Sequence, residues 1–388
     1  MAPSRSHALA LTLTLALPSV ARAQSSEPVV DIYTMDIGDH LFTRFGHAAI
    51  CVHDLRTPEG RCYNYGTTDF STPGPLTWSV LRGRARFWVS VAPLERMLAF
   101  YGAGGENRTV YRQRLPLAPA QTARLLDRLD HDVRPENREY VYHHYRDNCT
   151  TRLRDHLAAV TDGAFRARSD AVQPFTWRML TMRGFAPDPT VLAASDLLLG
   201  RALDASPTRW EAMFLPEIFR DEVAARLGAR PEVVYLRPDP VARGGAHNGR
   251  IALLAAAFAL AVMTAATRRL KNVYARRAGV AVAGLALGLA GLVVWVLAAV
   301  SSLAELRLNE VVLVLAPTDL ALCALGGPWL ERYARARLAQ LSLVALLAMV
   351  GILRQPVVFA VLLALAVMAP VVMVRTREAS AVTPRVGP

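Results

Sequence analysis

The chain has 388 residues, of which 53% are hydrophobic, and it carries a formal net charge of +12. Its mean hydropathy of +0.23 is higher than that of an ordinary soluble enzyme and predicts membrane segments in part of the chain. The positive charge does not indicate a nucleic-acid partner, because nearly all basic residues are arginines, many of them between apolar stretches, and no basic stripe is interleaved with aromatic residues.

The first 23 residues have the pattern of a secretory signal peptide. A weakly positive start precedes the apolar run at residues 8–17, and residues 21–23 read Ala-Arg-Ala, a small-x-small cleavage pattern. The apolar run is short for a membrane span, so we expect cleavage after Ala23 rather than retention as an uncleaved anchor. Residues 24–236 are therefore predicted to form a domain outside the cytoplasm.

A β-hairpin is predicted around two cysteines. The segments at residues 47–53 and 61–65 flank a turn-rich stretch that contains Thr-Pro-Glu-Gly. We expect a cross-strand disulfide bond between Cys51 and Cys62, which requires both side chains to lie on one face of the hairpin.

The same pairing brings a polar side chain near an isolated histidine. With residue 51 opposite 62, residue 49 lies opposite 64 and residue 47 opposite 66, so Asn64 falls diagonally beside His47. An imidazole base needs a polar neighbour that fixes its tautomer and orientation, and Asn64 can take that role. The alternative is that Asn64 simply caps the strand end before Gly66.

Cys149 is the cysteine left over in the exported part, because Cys323 falls within a predicted membrane span. An odd thiol in an exported protein suggests a reactive group. By residue type alone, a lone cysteine is more often a small buried apolar residue, and that alternative stays open.

A helix is predicted to begin at Cys149. Asp147 or Asn148 can cap it, and its apolar positions follow at spacings of four and three residues. In a first helical turn, free amides and the helix dipole favour the thiolate, and Arg152 and Arg154 add positive potential. We therefore expect a lowered pKa for this thiol.

The remaining histidines are not spaced like metal ligands. The sequence also contains no nucleophile elbow, phosphate loop or dinucleotide fingerprint. We expect neither a metal nor another cofactor.

The last third of the chain is predicted to be a membrane anchor. A linker rich in proline and glycine, residues 237–250, precedes it. The five predicted membrane-spanning helices are residues 251–267, 278–300, 311–330, 338–353 and 357–374.

Loop charges predict the orientation of this anchor. Basic residues concentrate between the first two spans, after the third span at Arg332, Arg335 and Arg337, and at the start of the tail, residues 375–388. Positively charged loops lie on the cytoplasmic side, so the domain at residues 24–236 faces outward and the tail is cytoplasmic. The signal peptide leads to the same topology.

Four segments in order resemble one bacterial family. They are residues 45–49 (FGHAA), 63–70 (YNYGTTDF), 135–138 (PENR) with 147–151 (DNCTT), and 210–216 (WEAMFLP). Together they resemble the Lnb N-terminal periplasmic domain, which occurs in bacterial lipoprotein N-acyltransferases of the Lnb type. The order, histidine first and Asn-Cys later, is also similar to the circularly permuted papain-like arrangement of NlpC and lecithin retinol acyltransferase enzymes.

The resemblance implies an α+β, permuted papain-like thiol-enzyme domain in the periplasm, here followed by an all-α bundle of about five transmembrane helices in the inner membrane. It implies Cys149 as the nucleophile and His47 as the base. In the mechanism that we expect, Asn64 orients His47, while amides at the helix start and Asn148 stabilise the oxyanion.

The expected reaction moves an acyl chain from a phospholipid or a lipidated protein to Cys149, as a thioester, and then to the N-terminal amine of a lipoprotein. The expected partners are therefore a lipid or lipoprotein donor, a lipoprotein acceptor and the membrane itself. A periplasmic cysteine peptidase or amidase with the same dyad is one alternative, and a non-catalytic envelope scaffold is the other.

Overall fold

The computed structural model describes residues 28–54, 59–241 and 244–374. The predicted signal peptide and the predicted cytoplasmic tail lie outside these residues. Seven strands are described: β1 (Val29–Met35), β2 (His47–His53), β3 (Arg61–Thr67), β4 (Arg86–Pro93), β5 (Val110–Arg114), β6 (Glu139–Val141) and β7 (Glu232–Tyr235).

Helices follow or separate these strands. Those of the first part are α1 (Pro73–Leu81), α2 (Leu94–Tyr101), α3 (Pro119–Asp132), α4 (Cys149–Val160), α5 (Trp177–Phe185), α6 (Pro189–Leu198), α7 (Arg209–Ala212) and α8 (Pro216–Leu227). Those of the second part are α9 (Asn248–Arg268), α10 (Val273–Val300), α11 (Ala304–Arg307), α12 (Gly327–Met349) and α13 (Val358–Met373). The first part is thus an α+β domain and the second a helical bundle.

One antiparallel sheet with the order β6-β4-β3-β2-β1-β5-β7 organises the domain. One face packs against α3, α4 and α8 in the largest hydrophobic core of the domain. The opposite face packs against α2 in a smaller core that includes both hairpin cysteines. The mixed fold of the prediction is therefore confirmed.

The hairpin has the register that the sequence analysis expected. Cys51 lies opposite Cys62, and the two cysteines form a disulfide bond on the face that α2 covers. Toward the other end of the hairpin, β3 bulges between Asn64 and Thr67, where Gly66 adopts a φ of +87°. A positive φ favours glycine, so the backbone turns sharply where β3 leaves the sheet.

Helix α4 lies across the middle strands β2 and β3. Its buried side chains include Leu153, Leu157 and Val160, which follow one another at the predicted spacings of four and three residues. Because the apolar stripe fixes the rotation of α4 on the sheet, the first residue of the helix, Cys149, is directed to the end of the sheet where β2 begins.

Only part of the predicted five-helix anchor is found. Among the described residues, α9 and α10 are the two helices long and apolar enough to cross a membrane. Helix α13 is an apolar helix of 16 residues, which is short for a bilayer core. Helix α12 begins at Gly327, well before the predicted fourth span, and its first turns carry Glu331 and several arginines.

The third predicted span, residues 311–330, is wrong as an α-helix. This part of the chain forms two 3-10 segments, Glu310–Leu313 and Pro317–Cys323. Proline lacks the amide hydrogen that an α-helix interior needs, so Pro317 can only begin a helical segment. The expected number of about five transmembrane helices is therefore too high.

The two 3-10 segments nevertheless pack along α10. Trp295 Nε1 donates to Val312 O at 3.1 Å, and Cys323 Sγ lies 3.4 Å from Ala281 O. These contacts are about 21 Å apart along α10 at 1.5 Å per residue. Gly284, Gly288 and Gly291 give α10 a face without side chains, against which this stretch packs closely.

The charge pattern predicted that Arg337 lies in a loop after the third span, but the structure places it within α12. It lies 4% exposed inside α12, and its guanidinium donates to Asp319 at 2.8 Å through both Nε and Nη2. A buried ion pair of this kind holds the irregular stretch against α12.

The bundle is docked on the domain through residues 301–310, the connecting segment. Ser301 Oγ donates to Leu81 O at 2.6 Å, where α1 ends. Asn309 Nδ2 donates to the carbonyls of Leu197 and Leu198 at 2.9 Å each, where α6 ends. The end of α10 is therefore fixed directly beneath the domain.

Candidate active site

Cys149 is the partly exposed first residue of α4. Asn148 caps the helix: its Oδ1 accepts the amides of Thr150 at 3.0 Å and Thr151 at 2.9 Å. The structure thereby decides between the two expected caps. Asp147 instead forms an ion pair with Arg152, at 2.6 and 2.8 Å.

Asn148 does not have the oxyanion-binding role that the mechanism gave it. Its Nδ2 donates to His144 O at 2.8 Å and to Phe214 O at 2.9 Å, so both polar ends of this buried side chain are occupied. Asn148 is a positioning residue: it ties the helix start to two neighbouring loops. In the first turn, this leaves the amide of Cys149 itself as the donor that can bind an oxyanion.

The thiol lies against the start of β2. The backbone amide of Ala48 acts on the Cys149 sulfur and lowers the thiol pKa, and Thr150 Oγ1 lies 3.6 Å from the sulfur. A Cβ added to Gly66 would come within 3.6 Å of the Cys149 Cβ, so glycine at this turn leaves the thiol side open. Because Ala48 follows His47 in β2, the thiol lies beside the strand that carries the predicted base.

His47 is held between an aromatic ring and an amide side chain. Its imidazole stacks on Tyr101, with 5.3 Å between ring centroids. Asn64 lies beside it, as predicted, and favours its protonated form. Nε2 of His47 and Oδ1 of Asn64 are both buried, and neither has a hydrogen-bond partner within the described part of the chain.

Burial sets the charge state of the pair. It lowers the pKa of His47 to about 3, helped by the charge of Arg108 and opposed by Asn64. It raises the pKa of Cys149, against the hydrogen bonds from Thr150 and Ala48 and the charge of Arg108. At neutral pH the dyad therefore rests as a thiol and a neutral imidazole.

The predicted lowering of the thiol pKa is wrong for a physical reason. Arg152 is neutralised by Asp147, and Arg154 by Asp155 at 2.9 Å, so neither guanidinium is directed at the sulfur. The loss of solvation on burial then outweighs the helix dipole. A thiol with a raised pKa needs a base to remove its proton before it can react as a nucleophile.

Three neighbours of the dyad were not found from the sequence. Arg108, 2% exposed, acts on both His47 and Cys149, and its Nε donates to Asp36 O at 2.7 Å. Tyr101 stacks on the base, and the Tyr140 hydroxyl is buried without a described partner. These residues lie in separate elements and share no motif, so only the fold reveals them.

The loop before Cys149 contacts the bundle. His143 and Asp147 close it through a pair of backbone hydrogen bonds of 3.0 and 2.9 Å. Glu305 of the connecting segment, 5% exposed, lies 3.8 Å from His143 Nε2 and 3.6 Å from Arg146 Nη2. The nucleophile is thus presented by a loop that rests on the end of the bundle.

Within the described ranges, no group of three histidine, cysteine, aspartate or glutamate side chains is arranged to hold a metal ion. The chemistry available at the site is therefore that of a thiol, a neutral imidazole and backbone amides. This set is suited to acyl transfer through a covalent intermediate.

Residues 19–183 match the family model described as the Lnb N-terminal periplasmic domain. The matched range includes His47, Asn64 and Cys149, whereas the segment at residues 210–216 lies beyond it. No curated protein and no solved structure matches the chain.

Proposed function

Because residues 19–183 match the Lnb N-terminal periplasmic domain, we propose that the chain is a membrane-anchored thiol acyltransferase that acts on lipids at the periplasmic side of the inner membrane. The observation that carries the proposal is the environment of Cys149. The Ala48 amide is near enough to its sulfur to oppose the rise of the thiol pKa, and His47, the residue before Ala48, keeps a buried Nε2 without a described partner.

The first half-reaction loads the enzyme. His47 Nε2 takes the proton of the Cys149 thiol as the sulfur attacks the carbonyl carbon of an acyl ester. The amide of Cys149 stabilises the oxyanion, and the carbon–oxygen bond of the ester then breaks. The imidazolium returns its proton to the leaving alcohol, and the acyl chain remains on sulfur as a thioester.

The second half-reaction transfers the chain. The free α-amine at the N-terminus of a lipoprotein attacks the thioester carbonyl, and His47 accepts the amine proton. The carbon–sulfur bond breaks, the thiolate recovers the proton, and an amide is formed. Because His47 rests as a neutral imidazole, it can accept a proton in both half-reactions.

Trapping the acyl-enzyme tests the proposal. The full chain in nanodiscs is incubated with a phospholipid or a diacylated peptide that carries a labelled acyl chain, and thioesters are then released with hydroxylamine. Wild-type protein should retain hydroxylamine-labile label, whereas Cys149→Ala should retain none. Cys323→Ala is the matched control, because Cys323 is the other free cysteine among the described residues.

The base is tested in the same assay. His47→Ala should lose nearly as much as Cys149→Ala, and the double variant little more, because dyad members act as a unit. Label that persists in Cys149→Ala would overturn the proposal. Transfer of the chain to water instead of to an amine would favour the hydrolase alternative, and full complementation of a deletion strain by Cys149→Ser would favour the scaffold.

A further inference from the structure

Four large apolar side chains are exposed on segments of the domain that lead to the active site or to the bundle. Leu41, Phe42, Phe70 and Trp78 are 42%, 36%, 51% and 43% exposed. The rings of Phe42 and Phe70 contact each other, with 5.7 Å between centroids, although they belong to different loops. We name these four residues the entrance patch.

Phe42 and Phe70 of the entrance patch lie on segments that connect directly to the elements of the thiol and the imidazole. Phe42 lies in the 3-10 turn Leu41–Thr43, from which the chain continues to His47. Phe70 lies just beyond the end of β3, whose Gly66 faces Cys149. The two rings in contact thus belong to the segment that leads into the strand of the base and to the segment that follows the turn beside Cys149.

The patch also lies at the end of the bundle. Trp78 precedes Arg82 by about one helical turn, and Ser302 N donates to Arg82 O at 3.2 Å. Ser302 follows the last residue of α10, which is one of the two helices able to cross a membrane. Trp78 thus lies near the end of a candidate membrane helix, and in membrane proteins aromatic side chains concentrate where such helices leave the bilayer.

We propose that the entrance patch inserts into the periplasmic leaflet of the bilayer, so that an acyl ester reaches Cys149 without leaving the lipid. Two arginines beside the patch fit the head-group region: Arg82 lies 6.0 Å from the Trp78 ring centroid, and the side chain of Arg84 is exposed. The use of the entering lipid as acyl donor rests on the proposed function, whereas the insertion itself does not.

The size of the patch favours lipid over a protein partner. A stable protein interface takes roughly 20–30 residues from each side, and four side chains are far fewer. Insertion into lipid needs only a few apolar side chains on a domain that is already tethered, because the helices supply the attachment.

Photocrosslinking tests the insertion in the full chain. Benzoylphenylalanine replaces Phe70, Trp78 or Val91 in separate preparations, each reconstituted into nanodiscs whose phospholipids carry alkyne-tagged acyl chains. Val91 is the matched control: it is 45% exposed and lies opposite Tyr63, nearer the disulfide end of the hairpin. We expect lipid adducts at positions 70 and 78 to exceed those at position 91 at least fivefold.

A second measurement connects insertion to delivery. Phe70→Ser combined with Trp78→Ser should lower acyl-enzyme formation from bilayer lipid about tenfold, while alkylation of Cys149 by iodoacetamide stays unchanged. Equal lipid adducts at all three positions would overturn the inserted patch. Preferential adducts without any thioester would leave the patch standing and remove the proposed function, so the two failures are distinguishable.

Discussion

The ion pair in the bundle and the active site both bury polar side chains, but the hydrogen bonding of these side chains differs. In the bundle, Arg337 donates to Asp319 and to Val314 O, and the Tyr333 hydroxyl donates to Asp319 at 2.7 Å. In the site, His47 Nε2 and Asn64 Oδ1 are buried without described partners. A buried polar group that is fully bonded holds structure, whereas one left unbonded is available to a substrate.

This contrast predicts that stability and activity respond to different residues. Substitutions in the bundle should unfold the protein, and substitutions of unbonded site residues should leave it folded but inactive. Four experiments test this difference, in order of decreasing effect on stability.

Breaking the buried ion pair should have the largest effect. Asp319→Leu or Arg337→Leu alone should lower the free energy of unfolding by about 3–5 kcal/mol, because the remaining charge stays buried without its partner. Denaturant unfolding in detergent measures the loss. The double variant should recover most of it; a double variant as unstable as the sum of the single ones would show that the pair does not act together.

Removal of the helix cap should come next. Asn148→Ala should cost about 2 kcal/mol, because two amides of α4 and two buried carbonyls lose their partner together. Asn148→Asp keeps the cap and loses only the two donors, so it should unfold at an intermediate denaturant concentration. If both variants were as stable as the wild type, the hydrogen bonds of Asn148 would not contribute to the stability of the fold.

Two histidines, His47 and His144, whose pKa burial lowers strongly, should make the protein sensitive to acid. Burial lowers the pKa of His47 and of His144 to about 3 each, so the folded state stays unprotonated where the unfolded chain, with an ordinary histidine pKa, binds protons. Stability should therefore fall as the pH decreases from about 6.5 toward 3. Denaturant unfolding at pH 7.5 and at pH 5 measures this loss of stability. The difference in the free energy of unfolding between the two pH values should be smaller in His47→Gln.

Asn64 should have the smallest effect on stability. Since Asn64 Oδ1 has no described partner to lose, Asn64→Ala should change the free energy of unfolding by less than about 1 kcal/mol. Acyl-enzyme formation should nevertheless slow about tenfold, because His47 loses the side chain that favours its protonated form. A variant that unfolds readily but reacts at the normal rate would reverse the interpretation of Asn64.

Short-range sequence patterns predicted much of the domain. Alternation along the hairpin gave the register of Cys51 and Cys62, and the spacing of Leu153, Leu157 and Val160 gave helix α4. Each of these features depends on residues that are close in sequence or on one regular period. Local chemistry is sufficient when the partner of a residue lies on the same hairpin or helix.

Longer-range pairing explains what could not be predicted. Hydropathy predicted a membrane helix at residues 311–330. In the structure, Asp319 of this stretch pairs with Arg337 of α12, and the stretch packs against the glycine face of α10. Likewise, the charge that acts on the thiol comes from Arg108, while the arginines near Cys149 in sequence are neutralised by aspartates. No window of sequence contains these pairings.

The contact between Glu305 and the loop before Cys149 has a practical consequence for handling this protein. A soluble version that ended before α9 would lack Glu305, so His143 and Arg146 would face solvent and the loop would lose the surface on which it rests. Even if such a fragment folds, the loop before Cys149 would not be supported as it is in the whole chain. If the fragment were inactive, the loss of the contacts that support this loop would explain the result as well as the loss of a membrane-bound substrate.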